Sequence, residues 1–97
     1  MPIIRLPSLM QYYTDKQAEF FVNGNTVLEA VHAAVEKYPA LKFQLFDNHD
    51  NLRRHINLFI NAVNARDCDG LDTPVGEDDV VRILPAITGG GLDDFIF

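Results

Sequence analysis

One cysteine, Cys68, is all the chain contains, so no disulfide can form within it and a cysteine-based metal site is excluded. A reactive thiol wants cationic neighbours, whereas Cys68 lies between Asp67 and Asp69; it reads as a small loop or core residue. Serine is equally scarce. Ser8 stands alone and no base lies beside it, which leaves nucleophilic catalysis without a candidate. Basic residues are few: 8 Lys and Arg against 14 Asp and Glu give a net charge of −6. That balance opposes a polyanion, so nucleic acid and anionic membrane are not expected as partners, and a basic protein surface suits the chain better. No apolar run approaches the ~20 residues needed to cross a bilayer. The first residues, Met1 to Pro7, lack the apolar centre of a signal peptide, and a cytoplasmic protein is expected. His32, His49 and His55 share no ligand spacing. The polar runs Asp47–Asn51 and Asp67–Gly70 lack the acidic spacing of a calcium loop, so no metal site is expected.

What is present is enough for one core. A chain of 97 residues builds one domain and buries about 60 to 65% of the surface its unfolded form exposes. Met1 to Leu6 reads as a first strand bounded by Pro2 and Pro7. Pro7 to Gln17 is a broad connection, and Ala18 to Val22 is a second strand paired to the first, ended by the turn Asn23-Gly24-Asn25. Thr26-Val27-Leu28-Glu29 has the form of a capping box, in which the Thr26 hydroxyl accepts the Glu29 N–H and the Glu29 carboxylate returns to the Thr26 N–H. Val27, Val31, Ala34, Val35 and Tyr38 then recur at helical spacing, and Pro39 closes the helix after Tyr38. Leu41 to Phe46 is a short helical segment over the core. Ile56 to Asn61 alternates as a third strand, placing Ile56, Leu58 and Ile60 towards the helix and Phe59 outwards with the asparagines. Ala62 to Asn64 is expected to turn the chain, Ala65 to Asp67 to form a short edge strand, and Gly70 to Val75 a loop with one helical turn.

The closing stretch carries the functional signal. Val80 to Leu84 is β-branched and aliphatic, Pro85 cannot donate to a sheet ladder, and three glycines follow at 89–91. The strand is expected to end near Leu84 and give way to a thin tail. From Pro85 to Gly90 such a tail reaches about 20 Å when extended. Gly89-Gly90, having no Cβ, can enter a channel too narrow for other residues and let catalytic groups approach its backbone.

The run from Gly76 to Gly90, an acidic turn, a final strand, then Pro85, Ile87, Thr88, Gly89 and Gly90, resembles the C-terminus of the ubiquitin-like sulfur carriers. That family includes the small subunit of molybdopterin synthase and the sulfur carriers of thiamin-thiazole and cysteine biosynthesis. The resemblance implies an α+β chain with the β-grasp (ubiquitin-like) fold, a mixed four- to five-stranded sheet packed on one main helix, with the last strand parallel to the first. It implies a domain over residues 1–87 and, over 88–97, a Gly-Gly tail with an extension. Pro85, Ile87, Thr88 and Gly89 would thread into a partner, and Gly90 would be the residue adenylated and thiocarboxylated. No bound cofactor is implied; ATP is used by the activating partner. The partners implied are a ubiquitin-activating-type adenylyltransferase and a sulfur-accepting biosynthetic enzyme.

The chain departs from the family at its end. Residues Gly91 to Phe97 follow Gly90, which therefore carries a peptide amide instead of the carboxylate that adenylation requires. Some relatives are trimmed by a JAMM-type metalloprotease, which would make Gly90 and Gly91 the processing site. Phe59 and the basic pair Arg53-Arg54 are the candidate docking residues. The protein is then a cosubstrate and not an enzyme, unless it is the small subunit of a molybdopterin-synthase-type heterodimer. The alternative is a β-grasp interaction module or modifier whose tail docks on, or is conjugated to, a partner.

Overall fold

The computed structural model describes residues 1–85. Strand β1 (Ile3–Arg5) pairs antiparallel with β2 (Glu19–Phe21), and helix α1 (Val27–Lys37) follows. A 3-10 turn (Pro39–Leu41) and a short helix α2 (Lys42–Leu45) lead to β3 (Ile56–Ile60), β4 (Val63–Asn64), two further 3-10 turns and β5 (Val80–Pro85). The five strands form one mixed sheet in the order β2-β1-β5-β3-β4. Strand β5 runs parallel to β1, with Ile3 opposite Val80, and antiparallel to β3, with Ile56 opposite Pro85. This is a β-grasp architecture, an α+β sheet with a helix packed against it. No helix among the described residues is long and apolar enough to cross a membrane.

Alternation decides which side of the sheet is core. Ile4, Phe20, Ile56, Leu58, Ile60, Val81 and Ile83 are buried, while their strand neighbours Ile3, Asn57, Phe59, Val80 and Arg82 are only partly covered. The buried side chains meet Val27, Ala30, Val31 and Ala34 of α1, and Leu41 and Leu45 from the segment after it. Each large side chain so buried contributes roughly 1.5 to 3 kcal/mol. The helical face is therefore centred on Ala30 as well as on the expected Val27, Val31 and Ala34; Val35 and Tyr38 sit at its margin. Small alanines in the middle of the face let helix and sheet approach closely.

The start of α1 follows the expected cap in one half. The Thr26 hydroxyl accepts the Glu29 N–H at 3.2 Å, but the Glu29 carboxylate accepts from the Asn25 N–H, at 2.8 Å, one residue earlier than the motif implies. Gly24 lies directly beneath this turn. A Cβ there would fall 2.7 Å from the Ala30 nitrogen and 3.0 Å from the Glu29 carbonyl carbon, so only glycine fits against the helix backbone. The broad connection after β1 is more regular than its sequence suggests, forming a 3-10 helix over Ser8–Thr14. It is closed by Asp15 and Lys16, both at positive φ, and by the buried Thr14 hydroxyl, which donates to the Gln17 carbonyl at 2.8 Å.

Two element assignments shift. The expected edge strand at Ala65–Asp67 is a 3-10 turn, and the edge strand lies two residues earlier at Val63–Asn64. The cause is local: Asn61 takes a left-handed conformation (φ 58°) and reverses the chain sooner, and the Asn64 side chain accepts the Arg66 N–H at 2.9 Å, capping a helical turn where a strand was expected. At the other end, β5 does not stop at Leu84 but includes Pro85. A proline lacks the N–H yet keeps its carbonyl, and the last residue of a strand is a position where that is tolerated.

The close approach at Gly24 generates a test. Gly24→Ala forces backbone against backbone and should lower unfolding free energy by about 2 kcal/mol. Gly76→Ala, whose added Cβ meets only the Asp79 side chain at 3.5 Å, should stay within about 0.5 kcal/mol of the parent. Urea titrations of the two variants check the contrast.

Candidate functional site

The place from which a tail can be delivered is set by how β5 is held. At its N-terminal end Asp79 and Asn61 form a clasp. The Asp79 carboxylate accepts the Gly76 N–H at 2.7 Å and the Asn61 side-chain N–H at 3.1 Å. The Asn61 side-chain carbonyl accepts the Val80 N–H at 3.0 Å, and the Asn61 N–H donates to the Val80 carbonyl at 2.8 Å. The Asp79 carbonyl in turn accepts from Ile3 at 2.9 Å. One short segment thus ties β5 to β3 on one side and to β1 on the other. The Gly76 N–H, then the Asn61 amide, hold the Asp79 carboxyl below its ordinary value.

At the other end, Pro85 lies opposite Ile56, the first residue of β3. The antiparallel pairing therefore brings Arg53-Arg54-His55, which immediately precede β3, to the end of the sheet where the tail sequence begins. These arginines are only partly available as docking groups. Arg53 donates through Nε to the Phe43 carbonyl at 2.9 Å and through its N–H to the Leu45 carbonyl at 2.8 Å, so it also ties α2 to the start of β3. Arg54 is exposed, and its carbonyl accepts from Arg66 at 3.2 Å.

Phe59 lies on the open face of the sheet, as its alternation implies, half-buried between Arg82 of β5 and Asn64 of β4. It stands three positions along the ladder from Pro85, about 10 Å away at 3.3 Å per residue. The registers place a cross-strand row on this face: Glu19, Arg5, Arg82, Phe59, Asn64. Arg5 pairs with Glu19 at 2.6 Å, a half-exposed ion pair worth about 0 to 1 kcal/mol. Arg82 makes no ion pair among the described residues. The neighbouring row, Phe21, Ile3 and Val80, is apolar, and Phe21 is 59% exposed.

Sequence reasoning named Phe59 on this face and missed Phe21 and Arg82. The signal was present in the alternation Phe20-Phe21 and Val81-Arg82-Ile83, but only the strand order makes the outward residues neighbours. Of the other expected site residues, Ile87, Thr88, Gly89, Gly90 and Gly91 lie outside the described residues, as does the boundary drawn at 87. Among the described residues no group of three or more histidine, cysteine or acidic side chains is arranged to hold a metal ion. Cys68 is exposed on a loop.

Comparison with known proteins agrees with this geometry. A model of the ThiS family matches residues 4–90. The sulfur carrier protein CysO of Mycobacterium tuberculosis is 27% identical over 89 residues, covering 90% of this chain and 96% of that protein. The crystal structure of an Amycolatopsis orientalis BexX/CysO complex contains a chain 28% identical, with a TM-score of 0.82, covering 93% of this chain and all of the other. The solution structure of small archaeal modifier protein 1 from Methanosarcina acetivorans is 29% identical, also with a TM-score of 0.82, covering 92% and 95% of the two chains.

The clasp makes a pH-dependent prediction. Because the folded Asp79 carboxyl lies below its ordinary value near 3.8, its contribution is complete above that value and is lost as pH falls through the folded one. Asp79→Ala should therefore cost about 1 kcal/mol at pH 7. The difference from the parent should shrink on acidification below about pH 4, since the parent then loses what the variant never had. Urea unfolding at pH 7 and pH 3 measures both ends.

Proposed function

This chain belongs to the ThiS family of ubiquitin-like sulfur carriers, and we propose that its working end is the Gly90 carboxylate, formed when residues 91–97 are removed. It is a sulfur carrier, like the relatives named sulfur carrier protein CysO. The observation that carries the reading is the coincidence of two ends. The family match stops at residue 90, the second glycine, and the strand that leads there is held on both edges through Arg82 and by β3 from there to Pro85.

Release comes first. Water adds at the Gly90 carbonyl, the bond to the Gly91 nitrogen breaks, and a JAMM-type metalloprotease is the enzyme class suited to it. A ubiquitin-activating-type adenylyltransferase then lets a Gly90 carboxylate oxygen attack the α-phosphorus of ATP, and pyrophosphate leaves. A sulfur nucleophile at the oxidation level of hydrosulfide attacks the resulting acyl carbon, AMP departs, and a thiocarboxylate remains. Pro85, Ile87, Thr88 and Gly89 form the threading segment, and residues 88–97 the tail as synthesised. ATP is consumed by the partner and no cofactor resides on the carrier.

The chain acts as a protein cosubstrate and not as a catalyst. Its one serine and one cysteine have no base beside them in sequence, and the reaction needs only a delivered carboxylate. The CysO crystallised with BexX supports a carrier that docks on another protein, and here Arg82, Phe59 and Phe21 are the side chains on the open face suited to such contact. A sulfur-accepting biosynthetic enzyme of the cytoplasm is the expected recipient. The likeness to a small archaeal modifier favours a second reading, in which the same adenylate is transferred to a lysine amine instead of to sulfur. An interaction module whose tail is never cut is the remaining alternative.

A chain ending at Gly90 should support pyrophosphate exchange with its cognate activator, and the full-length chain should support none. In the shortened chain Gly90→Ala should reduce exchange by roughly 100-fold, with an unchanged melting curve, because a misplaced reacting group costs about that much. Intact-mass measurement of protein from its native host should find the chain ending at Gly90 with one oxygen replaced by sulfur. Full-length unmodified chain alone would overturn the carrier reading in favour of the module, and Gly90 joined to lysine would favour the modifier.

A further inference from the structure

We propose that the chain's own segment Leu92 to Phe97 docks in the apolar cleft beside Pro85 and is a built-in occupant of that surface until it is cut away. The cleft has a volume of about 230 Å³ and lies between the first 3-10 helix and the start of β3. Its walls are Leu9, Met10 and Tyr13 on one side and His55 and Ile56 on the other, with Pro85 and the polar Gln44 completing it. The rim is apolar and open to solvent. Leu9 is 70% exposed, and Tyr12, 85% exposed, packs edge-on against Tyr13 with ring centroids 5.3 Å apart. Such a rim offers an apolar partner a surface to cover.

Three observations select the occupant. The first is tethering: Pro85 is both the last residue of β5 and a wall of the cleft, so whatever follows it in the chain is held at high effective concentration there. Only the six residues Ala86 to Gly91 separate it from Leu92, and closing so short a loop is entropically modest. Three consecutive glycines at 89–91 permit the reversal that brings Leu92 back. The second is chemistry. Leu92, Phe95, Ile96 and Phe97 supply apolar side chains to an apolar groove, and six extended residues reach about 20 Å. The third is charge: none of the residues lining the cleft is acidic, and His55, which lines it, follows directly on the exposed Arg54, so Asp93 and Asp94 meet no like charge in its walls. A second apolar cleft, around Met1 and Phe21, is lined by Glu77 and Asp78 and repels an acidic segment.

While docked, the segment covers the rim next to the Gly90–Gly91 bond; cleavage there would release the glycine end and the rim together. Docking needs no sulfur chemistry, so its failure leaves the carrier reading standing, and failure of that reading leaves the docking untouched.

The test is paramagnetic relaxation in the full chain. A spin label on a cysteine appended after Phe97, in a Cys68→Ser background, should remove the amide signals of Leu9, Met10, Tyr13, His55 and Ile56 while sparing Phe21 and Val80. No selective loss, or loss centred on Phe21 and Val80, overturns the proposal. Mixing isotope-labelled chain without the spin label with spin-labelled chain without isotope should leave the cleft signals intact; their loss would assign the cleft to a second copy and overturn an intramolecular contact. Leu9→Asp, at an exposed position, and Phe95→Ser, in the tail, should each restore the cleft signals with an unchanged melting curve. Persistence of the loss in both variants overturns the assignment.

Discussion

The structure depends on one strand being hydrogen-bonded along both of its edges. Strand β5 comes last among the described strands yet lies in the middle of the sheet, parallel to β1 and antiparallel to β3. A terminal strand at an edge could fray with the residues beyond it. Here β5 is paired on both sides from Val80 to Arg82 and to β3 as far as Pro85, and Asp79 and Asn61 set the register from the start of the strand. The consequence is mechanical: the end of β5 at Pro85 keeps a fixed place beside Ile56. The same pairing carries Arg53, Arg54 and His55 to that end of the sheet.

The division between the two faces of the sheet separates stability from recognition. Among the described residues the buried cluster runs from Ile4 to Ile83. The open face carries Phe21, Ile3 and Val80 in one row and Arg5, Arg82 and Phe59 in the next. Sequence changes there leave the core packing untouched, which lets one fold address different partners. The edge strand β2 is short, and Glu19 pairs with Arg5 across it, two features that discourage edge-to-edge association.

Local stiffness comes from side chains closing backbone turns. Asp47 accepts the N–H groups of His49 and Asn51 at 2.8 and 3.1 Å, which holds its carboxyl below the usual carboxylate range, chiefly through Asn51 and then His49. Thr73 accepts the Asp69 N–H at 3.0 Å and donates to the Gly70 carbonyl at 2.7 Å. In both loops the oxygen that closes the turn, Asp47 Oδ1 in one and Thr73 Oγ1 in the other, is engaged with the chain's own backbone.

Alternation and helical spacing are written in the chain, because burying one face of a strand or helix demands them. Ile56, Leu58 and Ile60, and Val27, Val31 and Ala34, are inside as their periods require. The glycine motif after a final apolar strand likewise identified the family, since its chemistry needs residues without side chains. What tertiary structure decided was adjacency. No local signal sets Arg82 beside Phe59, Pro85 beside Ile56, or the Leu9 rim beside the root of the tail, because these come from strand order. Nor does local pattern say that Asn61 reverses the chain early, that Glu29 caps Asn25 instead of Thr26, or that Gly24 lies against α1. In each case a backbone group chose among partners that only the folded chain brings within reach.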